Sequence, residues 1–179
     1  MDVGSQITIS IVFRDEEKNL PQLLDSLKGP LSQDPGRSLS FLFIDNGSTD
    51  SSAQIIKQSW LFNDYGKVQI IRRGLNHMGL ARQQALETAS TPWVLFLDAD
   101  TLLKENWIKY VFRAVEEAEK QDLVIGGGEE AVGEKPWHEF AKALARYFPM
   151  GKTAGQKVVV SHVPTNNCLI RREPALEVG

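Results

Sequence analysis

Short apolar runs alternate with helical stretches along this chain, and this alternation limits the possible folds more than any other feature. Five β-rich runs cover residues 7–13, 39–44, 67–71, 93–97 and 123–125. Between them, helical stretches are predicted over 20–27, 79–89 and 103–115. Alternating strands and helices predict an α/β fold, with a mostly parallel central sheet flanked by helices.

Local signals predict where several elements begin and end. Asn19 is expected to cap the first helix, and the proline- and glycine-containing segment 29–38 is expected to be a loop. Ser51 and Gln54 resemble a capping box at the start of the next helix. Beyond the fifth run, 137–148 is predicted to be helical, and 158–160 and 168–170 are predicted strands.

Composition excludes several classes of protein. The 179 residues suit one domain, and a net charge of −3 gives no general attraction to nucleic acid. The apolar runs are too short to cross a bilayer, and the N-terminus lacks the pattern of a secretion signal. The single Cys168 excludes an internal disulfide. The expected location is the cytoplasm or the inner membrane surface.

Acidic residues follow three of the predicted strands. The first strand runs into Arg14-Asp15-Glu16-Glu17, the second into Asp45, and the fourth into Asp98-Ala99-Asp100. Since ligands of parallel α/β sheets bind at the carboxyl ends of the strands, these carboxylates are expected to converge on one site. Converging carboxylates repel each other unless a cation neutralises them, and Mg²⁺ or Mn²⁺ combines carboxylates with phosphate oxygens. The pattern therefore predicts a divalent metal and a phosphorylated ligand.

Each acidic group also has a simpler interpretation. Asp98 or Asp100 could cap the following helix, and Asp45-Asn46-Gly47 could form only a turn. Glu16 and Glu17 could favour a helix N-terminus electrostatically. One shared site explains the three strand ends together, whereas the simpler interpretations require three coincidences.

Five segments in this order resemble family 2 glycosyltransferases, whose nucleotide-binding fold is called GT-A. They cover residues 9–20, 43–50, 79–85, 93–101 and 165–173, and so extend over nearly the whole chain. The resemblance implies a single GT-A domain over 1–179. Residues 1–100 would form the nucleotide-binding half ending in the Asp-x-Asp motif, and 101–179 would begin an incomplete acceptor half.

The resemblance also implies roles for individual residues. The donor nucleotide would be contacted by the first loop, by the second strand end, by Arg82 and by the Asp-x-Asp turn; these residues are Phe13, Arg14, Asp15, Glu16, Asp45, Asn46, Arg82, Asp98 and Ala99. Asp100, with Asp98, would bind Mg²⁺ or Mn²⁺. The alternative for Arg82 is an ordinary helix-surface arginine. Asp15 and Asn46 depart from the family pattern, which usually has asparagine and aspartate there.

The implied reaction transfers a sugar from a UDP- or GDP-linked donor, with inversion, to an acceptor that could be a saccharide, a lipid-linked molecule or a protein. In the family, the catalytic base that deprotonates the acceptor hydroxyl is an aspartate. It lies downstream of the family segment that residues 171–173 resemble. After Asp100 the only aspartate is Asp122, at the start of the fifth strand, while Glu129 and Glu130 follow that strand. The base is therefore expected to lie beyond Gly179, so that this chain binds donor and metal but transfers sugar poorly.

Two other functions fit parts of the pattern. The run from Leu95 to Leu102 resembles the nucleophile motif of haloacid-dehalogenase-like phosphatases, with Asp98 as the nucleophile. That motif, however, belongs on a first strand. A non-enzymatic regulatory module that binds nucleotide is the other alternative. His77, His138 and His162 are isolated, and Trp107 is expected to pack in the core or at the acceptor edge rather than to stack on a sugar.

Overall fold

The computed structural model describes residues 3, 6–33, 39–65, 67–74, 76–127, 163 and 165–178. In this part of the chain six strands form one sheet: β1 (Ile7–Phe13), β2 (Ser40–Asp45), β3 (Val68–Arg72), β4 (Trp93–Asp98), β5 (Val124–Gly126) and β6 (Asn167–Arg171). The described helices are α1 (Leu20–Ser32), α2 (Ser52–Gln58), α3 (Trp60–Asp64), α4 (Met78–Thr88), α5 (Trp107–Glu116) and α6 (Arg172–Val178). The predicted segments 137–148 and 158–160 lie outside the described residues.

The sheet has the order β3-β2-β1-β4-β6-β5. The strands from β1 to β4 are mutually parallel, and β6 runs antiparallel to both of its neighbours. The predicted mostly parallel α/β sheet is therefore confirmed. The chain first builds outward from β1 to β3 and then returns to place β4 on the other side of β1.

Both faces of the central strands are buried. Ile9 and Ile11 of β1 pack into one core cluster with residues of α1 and α5. Val12 and Phe96 face the opposite cluster, where α4 contributes Ala81 and other residues. Strands covered on both faces are apolar almost throughout, which is why they are recognisable as continuous apolar runs.

The first helix is longer than predicted. It continues through Pro30 to Ser32, although 29–38 was expected to be a loop. Gly29 precedes Pro30 and has no Cβ to clash with the proline ring, so the helical conformation is tolerated there. Pro30 and Leu31 are buried, and their packing favours the extra turn.

Two predicted caps are wrong. Asn19 and Ser51 occupy the capping positions of α1 and α2, but neither side chain makes a capping hydrogen bond. The Asn19 amide instead donates to the Glu16 carboxylate at 2.6 Å. Asp50, the residue before Ser51, accepts from the backbone N–H of Ser52, the first residue of α2, at 2.9 Å.

The helix after β4 is shorter than predicted. It begins at Trp107, and Leu103 packs against the core from the segment before it. The predicted apolar face is confirmed, because Trp107, Val111 and Val115 are buried. Trp107 belongs to the core as expected, and its indole N–H donates to Asn167 of β6 at 3.3 Å.

No helix among the described residues is long and apolar enough to cross a membrane. The cytoplasmic or membrane-surface location stays a prediction.

Replacing Leu27 by alanine should lower the free energy of unfolding by about 2–5 kcal/mol, because it leaves a cavity beneath α1. Leu27 is fully buried in the core between this helix and the sheet. Gln22→Ala, on the exposed side of the same helix, is the control and should change stability by about 0.5 kcal/mol or less. Denaturant unfolding of both variants checks the prediction, and equal losses would contradict the assigned packing.

Candidate functional site

The carboxyl ends of the parallel strands place the candidate residues along one edge of the sheet. Phe13, the last residue of β1, is paired with Asp45 of β2, and the preceding Val12 is paired with Asp98 of β4. The strand order reverses between β1 and β4, since β2 and β4 lie on opposite sides of β1. Ligands of open α/β sheets bind in the crevice at such a reversal.

The loops after β1 and β2 are joined by hydrogen bonds from the first loop to side chains of the second. The backbone N–H of Asp15 donates to the Ser48 hydroxyl at 3.1 Å, and that of Glu16 donates to the Ser52 hydroxyl at 2.8 Å. The next backbone N–H, that of Glu17, donates to a carboxylate oxygen of the second loop, on Asp50, at 3.1 Å. Three successive N–H groups are satisfied in this way.

The second loop returns the contacts to carboxylates of the first. The Thr49 backbone N–H donates to Asp15 Oδ1 at 2.7 Å, and the Thr49 hydroxyl donates to the same oxygen at 3.2 Å. The Ser51 backbone N–H donates to the Glu17 carboxylate at 3.3 Å. We call this reciprocal set of contacts between residues 15–17 and 48–52 the loop clasp. Its hydroxyl residues were missed by the sequence reasoning, although the run from Ser48 to Ser52 beside an acidic loop is a usable signal.

Asp15 adopts a left-handed backbone conformation, with φ of 53°. Aspartate and asparagine tolerate this region better than most residues, so both the aspartate found here and the asparagine of the family pattern suit the turn. The Thr49 N–H holds the pKa of the Asp15 carboxyl below its ordinary value. Arg14, whose Nε lies 3.4 Å from the Asp15 carboxylate, is an exposed neighbour.

Asp45 and Asn46 are buried within the protein. Asp45 accepts from the Ser48 backbone N–H at 2.7 Å, and its other oxygen lies 3.8 Å from Nε of Arg72. The side-chain oxygen of Asn46, Oδ1, accepts from the His77 backbone N–H at 3.2 Å. The side-chain nitrogen of Asn46, Nδ2, donates a longer hydrogen bond to Asn76 Oδ1 at 3.4 Å. These two residues thus hold the edge loops together in this structure.

The acidic groups at the three strand ends are predicted to share one site, with Asp98 and Asp100 as its metal ligands. Among the residues that the structure describes, no three histidine, cysteine, aspartate or glutamate side chains are grouped so that they could hold a metal ion. The carboxylates of Asp15, Glu16 and Glu17 bind partners in or beside their own loops. Asp45 is 1% exposed and likewise engaged. Asp98, in contrast, contacts Arg82 of α4.

The Asp-x-Asp turn combines one anchored residue with two polar ones. Ala99 is buried in the core, whereas Asp98 is half-buried and Asp100 is exposed. Burial raises the pKa of the Asp98 carboxyl; the nearby Arg82 opposes this, and the charge of Asp100 adds to it. The negative charge of Asp100 thus disfavours the charged form of Asp98.

Arg82 is brought to this turn by α4. Its Nη2 lies 3.2 Å from Asp98 Oδ1, and the arginine side chain is 24% exposed. The contact supports a place beside the Asp-x-Asp turn and disfavours the alternative of a free helix-surface arginine. Arg82 is held in position because Ala81 and Ala85 of the same helix are fully buried against the sheet.

The remaining candidate residues that the structure describes lie away from the Asp-x-Asp turn or serve the packing of the fold. Phe13 is 1% exposed and packs edge-on against Phe43 with ring centroids 6.5 Å apart, so its side chain belongs to the core. His77, isolated in sequence, caps α4 by accepting from the Leu80 N–H at 3.2 Å. Asp122 precedes β5 and therefore lies at the opposite edge of the sheet, as predicted. Glu129, Glu130, His138 and His162 lie outside the described residues.

A shallow polar cavity of about 270 Å³ lies at the amino edge of the sheet. It is lined by the starts of β2 and β3 and by the end of α4, including Ser40, Lys67 and Thr88. No carboxylate lines it, and it faces away from the strand ends discussed above. The crevice beside Asp98 remains the candidate site because that is where polar and charged groups meet.

Asn46→Ala should lower the free energy of unfolding by about 1–3 kcal/mol, because it leaves the His77 N–H without its buried acceptor. Asn76→Ala removes only the longer contact of an exposed residue and should cost less. Denaturant unfolding of the two variants gives the comparison. Equal losses would show that Asn46 does not anchor the loop before α4.

Asp98→Asn should raise the midpoint of thermal unfolding at pH 7. Burial in the folded state raises the pKa of Asp98. The protonated carboxyl therefore contributes its full stabilisation below the ordinary value of 3.8, and this stabilisation is lost as the pH rises through the folded-state pKa. Asparagine removes the cost of the buried charge and keeps an oxygen for Arg82. Melting curves at pH 7 and pH 3 test this, and the gain should disappear at pH 3. A loss at pH 7 would mean that the Arg82 contact outweighs the burial cost.

Known proteins share both the sequence pattern and the fold. The model of the family described as Glycosyl transferase family 2 matches residues 8–179. Over 102 residues the chain is 31% identical to the SPbeta prophage-derived glycosyltransferase SunS of Bacillus subtilis (strain 168), an alignment that covers 56% of this chain and 21% of SunS. The chain therefore spans about a fifth of the length of that relative.

Solved structures extend the comparison of the fold. S. aureus TarS 1-349 in complex with UDP-GlcNAc matches with a TM-score of 0.65 and 19% identity, covering 93% of this chain and 45% of that one. The mannosyltransferase PcManGT from Pyrobaculum calidifontis, in complex with GDP-Man and Mn²⁺, matches with a TM-score of 0.65 and 17% identity, covering 97% and 46%. The match over residues 8–179 shows that this chain belongs to glycosyl transferase family 2.

Proposed function

We propose that this chain is the donor-binding part of a metal-dependent glycosyltransferase that uses a UDP- or GDP-linked sugar and inverts the anomeric carbon. The observation that carries the proposal is the Asp98-Ala99-Asp100 turn at the carboxyl end of β4, next to β1, in a chain of this family. This turn lies where the strand order reverses, which is where α/β sheets bind nucleotides. The acceptor would be a saccharide, a lipid-linked molecule or a protein.

The donor set at the turn suits Mg²⁺ or Mn²⁺. These ions take one or two protein carboxylates and complete their shell with water and substrate phosphates. Asp98 and Asp100 supply two carboxylates, and no third acidic side chain among the described residues is grouped with them. A site of this kind depends on ligand oxygens, which fits a nucleotide diphosphate. The Mn²⁺ and GDP-Man bound by PcManGT support the proposal by analogy.

The residues around the crevice would divide the work of binding. When bound, the divalent ion would act as a Lewis acid that stabilises the charge developing on the leaving diphosphate. Asp98 and Asp100 would hold the ion. The loop clasp would keep the loops after β1 and β2 in one arrangement around the nucleobase of the donor. The N–H groups of 15–17 already have partners, so this arrangement needs no ligand to form.

The position of the catalytic base beyond Gly179 remains a prediction made from the sequence. Asp122 cannot reach the crevice because it precedes β5 at the opposite edge, where its carboxylate accepts from the Glu119 N–H at 2.9 Å. This position supports the expectation that the base is not Asp122. The phosphatase alternative has no support from the family match, and its motif belongs on a first strand, whereas Asp98 ends the fourth.

Calorimetry with UDP and with GDP, each with and without Mn²⁺, tests the proposal. One nucleotide should bind in a metal-dependent way, and Asp100→Ala should weaken this binding at least about tenfold, since a charge-assisted ligand is lost. Asp122→Asn, at the opposite edge of the sheet, is the matched control and should bind as the unmodified chain does. Equal nucleotide binding without metal would contradict the assigned roles.

A further inference from the structure

A guanidinium group already neutralises one of the two carboxylates of the Asp-x-Asp turn. Arg82 Nη2 lies 3.2 Å from Asp98 Oδ1, within hydrogen-bond distance. The arginine side chain is 24% exposed and that of Asp98 is 39% exposed, so solvent screens the pair only partly. A cation that approaches Asp98 therefore meets a resident positive charge.

Among the residues that the structure describes, Arg82 and Asp100 are the charged groups that act on Asp98. Cys168 of β6 lies near the same pair, but burial raises the pKa of its thiol to about 11, so it is neutral at physiological pH. The two carboxylates and the guanidinium together leave one net negative charge. Such a group attracts a divalent ion weakly compared with two unpaired carboxylates.

The backbone at Arg82 is held in place by the packing of α4. Arg82 projects from α4 between two alanines, Ala81 and Ala85, which are fully buried against the sheet. The helix backbone is therefore fixed, and only the side chain can turn aside. A diphosphate in the crevice would offer oxygens to the guanidinium, which binds phosphate well, and would also complete the shell of the metal.

We infer that Arg82 couples metal binding to nucleotide binding, keeping the affinity for the metal alone low until a diphosphate takes over the guanidinium. This inference rests on the proposed function and assigns Arg82 a role in regulating that same site. Because coupling free energies are reciprocal, the nucleotide strengthens metal binding by the same factor as the metal strengthens nucleotide binding. Couplings between binding sites commonly amount to about 5- to 150-fold.

The test measures the affinity for Mn²⁺ alone, and then with saturating UDP or GDP, in the full chain and in two variants. Arg82→Gln removes the charge but keeps an amide that can donate to Asp98, and it should bind Mn²⁺ alone about tenfold more tightly. Arg82→Lys keeps the charge and should bind Mn²⁺ alone as weakly as the unmodified chain. The strengthening of Mn²⁺ binding by nucleotide should shrink in Arg82→Gln. A purely structural role of Arg82 would not raise the affinity for metal alone.

The outcomes separate the inference from the proposed function. Unchanged affinity of Arg82→Gln for Mn²⁺ alone, with nucleotide-dependent metal binding in the unmodified chain, overturns the coupling role and leaves the proposed function standing. No Mn²⁺ binding by the unmodified chain with either nucleotide overturns the proposed function itself. Thermal melting of each variant verifies folding, and Arg82→Met serves as the neutral variant if Arg82→Gln fails to fold.

Discussion

The pairing of β1 with β2 on one side and β4 on the other is the constraint on which the rest of the structure depends. β1 is buried along its whole length, and its backbone hydrogen bonds are satisfied by two parallel neighbours. Because the strands are parallel and in register, their carboxyl ends meet at one edge. The loops that follow must then share a small region, and each must satisfy its polar groups beside the others.

The loop clasp is one consequence of that crowding. Short loops at the end of a buried sheet expose backbone N–H groups that would be costly to leave unpaired. Serine hydroxyls and aspartate carboxylates of the adjacent loop accept from them, and the exchange runs in both directions. Several acidic residues are therefore engaged in holding the loops together.

The Asp-x-Asp turn differs from the loop clasp in how its carboxylates are held. Ala99 is packed into the core and fixes the turn, while Asp98 is half-buried and Asp100 is exposed. Partial burial disfavours the charge of Asp98, and Arg82, which the buried alanines of α4 hold in place, opposes this effect. This arrangement suits metal binding under the proposed function. A divalent ion can replace the guanidinium of Arg82 beside Asp98 once the phosphates of a bound ligand pair with that guanidinium.

The sequence by itself determined the fold class, the order of the elements and the place of the Asp-x-Asp turn. Apolar runs buried on both faces and helical periodicity are local patterns, and strand ends follow from them. Tertiary structure alone decided the partners of Asp15, Asn46 and Arg82, because their contacts with Thr49, His77 and Asp98 join residues 34, 31 and 16 positions apart. It also decided that α1 continues past Pro30, where burial outweighs a local helix-breaking signal. Charge patterns show where carboxylates gather, but only the packed loops determine whether they bind a neighbouring N–H or remain available to a metal.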